Sequence, residues 1–249
     1  MNDPVTHDDL VTHDDPVATR RVELGERLSA VRARIVRACE TVDRDPAEVT
    51  LIAVTKFFPA SDIDLLVELG VTAIGENRDQ EASAKLGSVS RREELTVHFI
   101  GQLQTNKAAS VVRYADVVQS VDRPKLVAAL DRAAAAHGVR PSVLVQVSLD
   151  PDGLGRGGAR PEQARALADE VRGCDHLQLR GVMGVAPLGA DPGQAFAKLR
   201  EVAHGIRAGH EGATWISAGM SADLEAAVAH GATHLRVGSA ILGSRQSHR

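Results

Sequence analysis

Lys56 closes the apolar run Leu51-Ile52-Ala53-Val54-Thr55 and is the residue in this chain with the plainest chemical use. Continuous apolar runs of this kind form strands of parallel sheets that are covered on both faces. A lysine at the carboxyl end of such a strand holds its amine at the rim of an apolar interior. Desolvation there lowers its pKa and favours the neutral, nucleophilic form. That is the setting for Schiff-base chemistry with an aldehyde or ketone. The competing role is a lysine that merely snorkels out of the strand end. Farther along, Ser221 heads Ser221-Ala222-Asp223-Leu224-Glu225, and Gly238 precedes Ser239-Ala240-Ile241-Leu242-Gly243. Glycine admits close approach of the backbone and serine adds a donor, so each start is suited to a phosphate at a helix N-terminus. Each serine would equally serve as a plain N-cap. Arg236 lies in the apolar segment Leu235-Arg236-Val237. Pointing inward it needs a partner, a pyridine nitrogen or a carboxylate such as Glu76; pointing outward it is simply solvated.

The elements that must position these residues follow from the periodicity. Apolar, β-branched runs recur at residues 49–54, 72–75, 97–100, 117–121, 143–147, 177–182, 214–217 and 235–237. Helical patterns separate them at 61–69, 79–86, 106–114, 124–137, 161–172, 193–208 and 222–229. Gly70, Gly138, Gly173, Gly209 and Gly231 follow several of these helices, where a left-handed terminal residue is expected. Strands linked in turn by helices imply a parallel sheet with right-handed crossovers, and this number over this length predicts an α/β fold, a single closed (β/α)8 TIM-type barrel. A doubly wound open sheet is the alternative, but no glycine-rich dinucleotide turn follows the first strand. A further helix from Arg20, with Val22, Leu28, Val31, Ile35 and Ala38 on one face, precedes the barrel. Residues 1–20 carry the duplication Val5-Thr6-His7-Asp8-Asp9 and Val11-Thr12-His13-Asp14-Asp15 and are expected to be a disordered acidic tail, with the barrel domain spanning 21–249. The His-Asp-Asp clusters also admit a metal-binding reading.

Barrel active sites gather at the carboxyl ends of the strands. Here those ends bring Lys56, Glu76 and Asn77, Gly101-Gln102, Gln119-Ser120, Ser148, Met183-Gly184, Ser217 to Ser221, and Gly238-Ser239. A lysine across the mouth from two glycine-serine loops suggests a phosphorylated carbonyl compound. A sugar phosphate, as in a class I aldolase, and pyridoxal phosphate (PLP) both meet that description.

Composition narrows the classes further. Of 249 residues 43% are hydrophobic, enough for a full core, but only 2% are aromatic, so the core is aliphatic. Twenty-nine basic against 33 acidic residues give a net charge of -4 with no basic tract, which argues against nucleic-acid or membrane-surface partners. Cys39 and Cys174 are far apart and suggest neither a disulfide framework nor a zinc site. With no apolar stretch of membrane-spanning length and no signal-like start, a cytoplasmic protein is expected.

Together these residues carry a resemblance. The runs Ala53-Val54-Thr55-Lys56, Gly75-Glu76-Asn77 with Gln80-Glu81, and His98 to Lys107 are joined by Arg180-Gly181-Val182-Met183, Gly219 to Ala227 and Arg236 to Gly243. In that order, from Val22 to Arg245, the chain resembles the pyridoxal phosphate homeostasis protein family, which is similar to the N-terminal barrel of alanine racemase. The resemblance implies an internal aldimine between Lys56 and PLP. It implies Arg236 at the pyridine nitrogen, Ser221, Gly238 and Ser239 at the phosphate, and Asn77 and Met183 lining the pocket. His98 and the Gln104 to Lys107 run would lie near the third strand end, His98 also fitting a satisfied core histidine. The chain departs from the pattern at Phe58 and Arg156, where lysines are common, and at Arg78, where an aromatic is common.

An arginine at the pyridine nitrogen weakens the ring as an electron sink. A racemase also needs an acid/base on the far face of the cofactor, which alanine racemase-like enzymes draw from an added β domain. The chain ends at Arg249, soon after the eighth strand, so that domain is expected to be missing, and Tyr114 is placed outside the mouth. The expectation is a monomeric, non-catalytic PLP carrier of cofactor homeostasis, with PLP-dependent apo-enzymes and amino or keto acids as partners. An amino-acid racemase and a class I aldolase are the rivals.

Overall fold

The computed structural model describes residues 15–150 and 157–244. Its parallel strands are β1 (Thr50–Val54), β2 (Ala73–Glu76), β3 (Thr96–Phe99), β4 (Val117–Val121), β5 (Ser142–Val147), β6 (Gln178–Gly184), β7 (Trp215–Ser217) and β8 (His234–Val237). Each pairs with the next, and β8 returns to β1 through Thr50↔His234 to Ala53↔Val237, so the sheet is a closed barrel. The open-sheet alternative is thereby excluded.

Around it run α2 (Ala60–Glu68), α3 (Asp79–Leu86), α4 (Ala108–Val111), α5 (Pro124–His137), α6 (Pro161–Arg172), α7 (Pro192–Arg207) and α8 (Leu224–Ala229). Before them lies α1 (Pro16–Glu40), and after β8 the short α9 (Ser239–Leu242). Helix α1 starts within the stretch expected to be tail. Asp15 caps it by accepting from Val17 N at 3.0 Å, and Pro16 takes the first position, where its missing N–H costs nothing. The His-Asp-Asp repeat, apart from Asp15, lies outside the described residues. The helix expected over 106–114 is reduced to a 3-10 turn, Thr105–Lys107, and the single turn of α4. Gly70, Gly138 and Gly231 take the left-handed conformation expected of them, whereas Gly173 closes α6 at φ -74°.

Alternation along the strands separates two layers. Val97 and Phe99, Val143, Val145 and Val147, Ile216, and Leu235 and Val237 belong to the large core between sheet and helices. Residues of the other parity point into the barrel. These include Val117, Leu144 and Met183, which form a separate apolar cluster with Val185 and Trp215 against it. Other inward positions are polar, with His98, Gln119, Gln146, Ser217 and Arg236, all buried. The interior is thus a packed plug in which hydrogen-bonding groups sit beside apolar ones, Gln146 and Ser217 in register with Met183.

Candidate functional site at the barrel mouth

Lys56 follows β1 with the inward parity of Ile52 and Val54 and is half-buried. Its Nζ lies 5.9 Å from the centroid of the Phe57 ring. Phe57 itself adopts φ 71°, a left-handed conformation uncommon outside glycine. Asn77, also half-buried, follows β2, and Gly101 after β3 lies so close that a Cβ there would collide with the Asn77 carbonyl. Only glycine permits that approach.

Arg236 points into the barrel and is 4% exposed. Its Nη1 donates to Ser217 Oγ at 2.6 Å and its Nη2 to the Gly184 carbonyl at 2.9 Å. Glu76, offered above as its carboxylate partner, has the outward parity. It is enclosed between sheet and α3, accepting from Thr55 Oγ1 at 2.6 Å and pairing with Lys85 Nζ at 2.7 Å. Burial pushes its carboxyl up from the ordinary range, with Lys85 and Thr55 pulling the other way.

The polar contacts continue across the barrel. Ser217 Oγ donates to Gln119 Oε1 at 2.7 Å, and Gln119 Nε2 faces His98 Nδ1 at 2.9 Å. An arginine can only donate. Ser217 must therefore accept from it and pass its own hydrogen to Gln119 Oε1, which leaves the amide N–H₂ for His98. His98 Nδ1 is thus the acceptor, and a proton there would meet a donor head-on. Burial, then the neighbouring His234 and Arg236, hold His98 down at about 3. His98 is the satisfied core histidine of the two readings.

The seventh and eighth loops meet. Ser239 Oγ donates to Ser221 Oγ at 3.3 Å, and Ala240 N approaches the same oxygen at 3.4 Å. Ser221 does not open a helix as expected. The chain turns through Gly219 at φ 87°, where a Cβ would stand 2.6 Å from Ala227 Cβ, and α8 starts only at Leu224. Asp223 spends its side chain on Met220 N at 2.6 Å. Ser239 does begin α9 behind Gly238. A Cβ on Gly238 would lie 3.3 Å from Val54 Cβ, so this loop rests on the end of the strand that carries Lys56. Met183, buried on β6, pairs in register with Ser217. Beside Asn77 opens a cleft of about 570 Å³ with Arg78, Gln102, Lys107 and Arg123 in its wall.

Tyr114 lies away from the inward-facing set, its hydroxyl 3.4 Å from Asp79 Oδ1. Burial and Asp79 raise its phenol above the ordinary value. Among the described residues no cluster suited to a metal ion occurs. Sequence reasoning gave no role to Lys85, whose signal was a lysine four residues after Glu81 on the helix that follows Glu76.

Residues 27–246 match the family described as alanine racemase, N-terminal domain. The pyridoxal phosphate homeostasis protein of Mycobacterium bovis is 43% identical over 245 residues, covering 91% of this chain and 95% of its own. That of Corynebacterium glutamicum is 43% identical over 222 residues, covering 86% and 99%. This chain belongs to the pyridoxal phosphate homeostasis protein family. PipY of Synechococcus elongatus PCC7942, a structure solved with PLP bound, superposes with a TM-score of 0.78 at 36% identity, covering 88% of this chain and all of that one. Against the family pattern, Phe58 packs on the core with the Arg20 guanidinium 5.9 Å from its ring centroid, and Arg78 lies 5.4 Å from that of Phe57. Arg156 lies outside the described residues.

Proposed function

We propose that this chain holds PLP at the barrel mouth and serves its intracellular homeostasis without robust turnover of its own. The carrying observation is the convergence on β1: Ser221 and Ser239 touch across two loops, and Gly238 between them and the barrel rests on Val54, two residues before Lys56. The residues fit the cofactor. Small side chains and unadorned backbone leave room for a phosphate, Ser221, Gly238 and Ser239 offer donors, and a primary amine stands on the same rim. When bound, the cofactor supplies an aldehyde that can condense with an amine and a conjugated ring that absorbs visible light.

Lys56 is the amine to which that aldehyde would be joined, with loss of water. Asn77 and Met183 would line the pocket. Arg236 would meet the pyridine nitrogen. Held by Ser217 and Gly184 and always charged, it keeps a proton off that nitrogen and so disfavours carbanion chemistry. The phenol of Tyr114, raised and committed to Asp79, is unsuited to act as a base. These features support a carrier over a racemase. Handing the cofactor to PLP-dependent apo-enzymes from a monomeric, cytoplasmic protein completes the proposal; among the described residues no helix is long and apolar enough to cross a membrane.

The test is optical. The purified protein with PLP should be yellow, and Lys56→Ala should lose the band. Equal affinity with an unchanged spectrum in that variant would sink the attachment. Rapid racemisation of single L-amino acids would replace the carrier by an enzyme.

A further inference from the structure

The backbone on both sides of Lys56 is tied to one helix. Lys85 of α3 reaches through the outer wall with its side chain 8% exposed. Its Nζ donates to the Thr55 carbonyl at 2.9 Å and to the Phe58 carbonyl at 3.1 Å, which bracket Lys56 and Phe57. The same ammonium pairs with Glu76 Oε1 at 2.7 Å and lies 3.5 Å from Glu81 Oε1. Glu81 Oε1 accepts from the N–H of Phe57, and Thr55 Oγ1 closes the ring by donating to Glu76.

A buried ammonium is expensive to desolvate, and an apolar side chain would fill the same volume more cheaply. What the charge supplies is a short-range tie to the two carbonyls that bracket the turn, that of Thr55 also accepting from the Phe58 N–H at 3.1 Å. The turn needs it. Phe57 at φ 71° is a non-glycine residue in a sparsely populated conformation, and such a conformation persists only where its surroundings over-determine it.

We propose that Lys85 and Glu81 are positioning residues for Lys56. They clamp the Thr55–Phe58 turn with Phe57 in its left-handed conformation and so fix the direction from which the Lys56 amine enters the barrel mouth. The inference rests on Lys56 being the attachment point for PLP, and its test separates the two.

Two variants are informative. Lys85→Met combined with Glu76→Gln removes the clamp without leaving a buried charge alone, since the new amide still accepts from Thr55. Glu81→Ala removes the acceptor at Phe57 from a partly exposed position and decides the matter if the double variant does not fold. Each is titrated with PLP by its visible band. Each is also labelled, free of cofactor, with trace acetic anhydride, and Lys56 is compared by mass spectrometry with the exposed Lys125 and Lys198. In variants with wild-type circular dichroism, PLP binding should weaken about tenfold, the scale of a slightly misplaced reactive group. The Lys56-to-Lys125 labelling ratio should change by about threefold or more, since acylation reports how the amine is held and how the reagent reaches it. Folded variants with both readouts unchanged overturn the proposal. So does weaker binding with an unchanged ratio, because the effect then does not pass through Lys56. If the wild-type protein shows no band, the cofactor reading fails and the labelling ratio alone decides the clamp.

Discussion

Two cations divide the work at the mouth, and the sequence exposed them unequally. A lysine closing an apolar strand is legible from one line of residues, because the strand's end and the amine's solvation problem are both local. The direction of Arg236 was not legible. Its neighbours Leu235 and Val237 are apolar, but they face the helices rather than the barrel interior, and only the register with β1 settles which parity looks inward. The buried chain from Arg236 through Ser217 and Gln119 to His98 was equally hidden, since its members come from different strands. Ser217 is its hinge, accepting from the arginine and donating to the amide. Ser217→Ala should lower stability by about 2 kcal/mol in urea unfolding, the scale of losing a hydrogen bond to a buried charge, and should also weaken PLP binding.

At the level of elements, the strand–helix alternation was plain, but the ends were not. Ser221 was expected to open a helix, as a serine heading the helical pattern over 222–229. The structure starts α8 at Leu224, which frees Ser221 to face Ser239. Helix α1, expected only to precede the barrel and cap or flank it, proves to be a brace. Arg34 grips Glu225 through two bonds of 2.9 Å and donates to the Ser221 carbonyl at 3.0 Å, and Arg20 donates to the Leu242 carbonyl at 3.1 Å. These arginines hold the seventh and eighth loops from outside the barrel. An exposed ion pair adds at most about 1 kcal/mol to stability. Arg34→Met should therefore leave the melting temperature nearly unchanged while reducing PLP affinity a few-fold, checked by parallel thermal melts and titrations. Removal of the Asp15 cap should cost about 1 kcal/mol, seen as a small loss of thermal stability in Asp15→Ala.

For the whole molecule, a closed barrel with a polar plug makes stability depend on pH in a calculable direction. His98 and His234 are held by burial, first of all, at about 3 and about 4, against an ordinary value of 6.5. Between pH 6.5 and about 4 the unfolded chain therefore binds protons that the native barrel refuses. Stability must fall as the pH falls through that window, by up to ~1.4 kcal/mol per pH unit for each histidine. Glu76, raised by burial, has the opposite sign. Urea midpoints from pH 7 to pH 4 should thus show a shallower slope in His98→Gln than in the wild type, the Glu76 contribution being common to both.

The aromatic poverty that first marked the composition has an optical consequence. The chain contains a single tryptophan, Trp215, and the fold sets it at the amino end of β7, on the barrel floor opposite the mouth. There it lies 4.3 Å from the His234 ring, with the Arg180 guanidinium 5.4 Å from its own centroid. All tryptophan fluorescence from this protein therefore originates at one known point beneath the polar plug. Emission intensity is a built-in gauge of what happens above it, through energy transfer to any chromophore seated at Lys56 and through quenching when His234 takes up a proton.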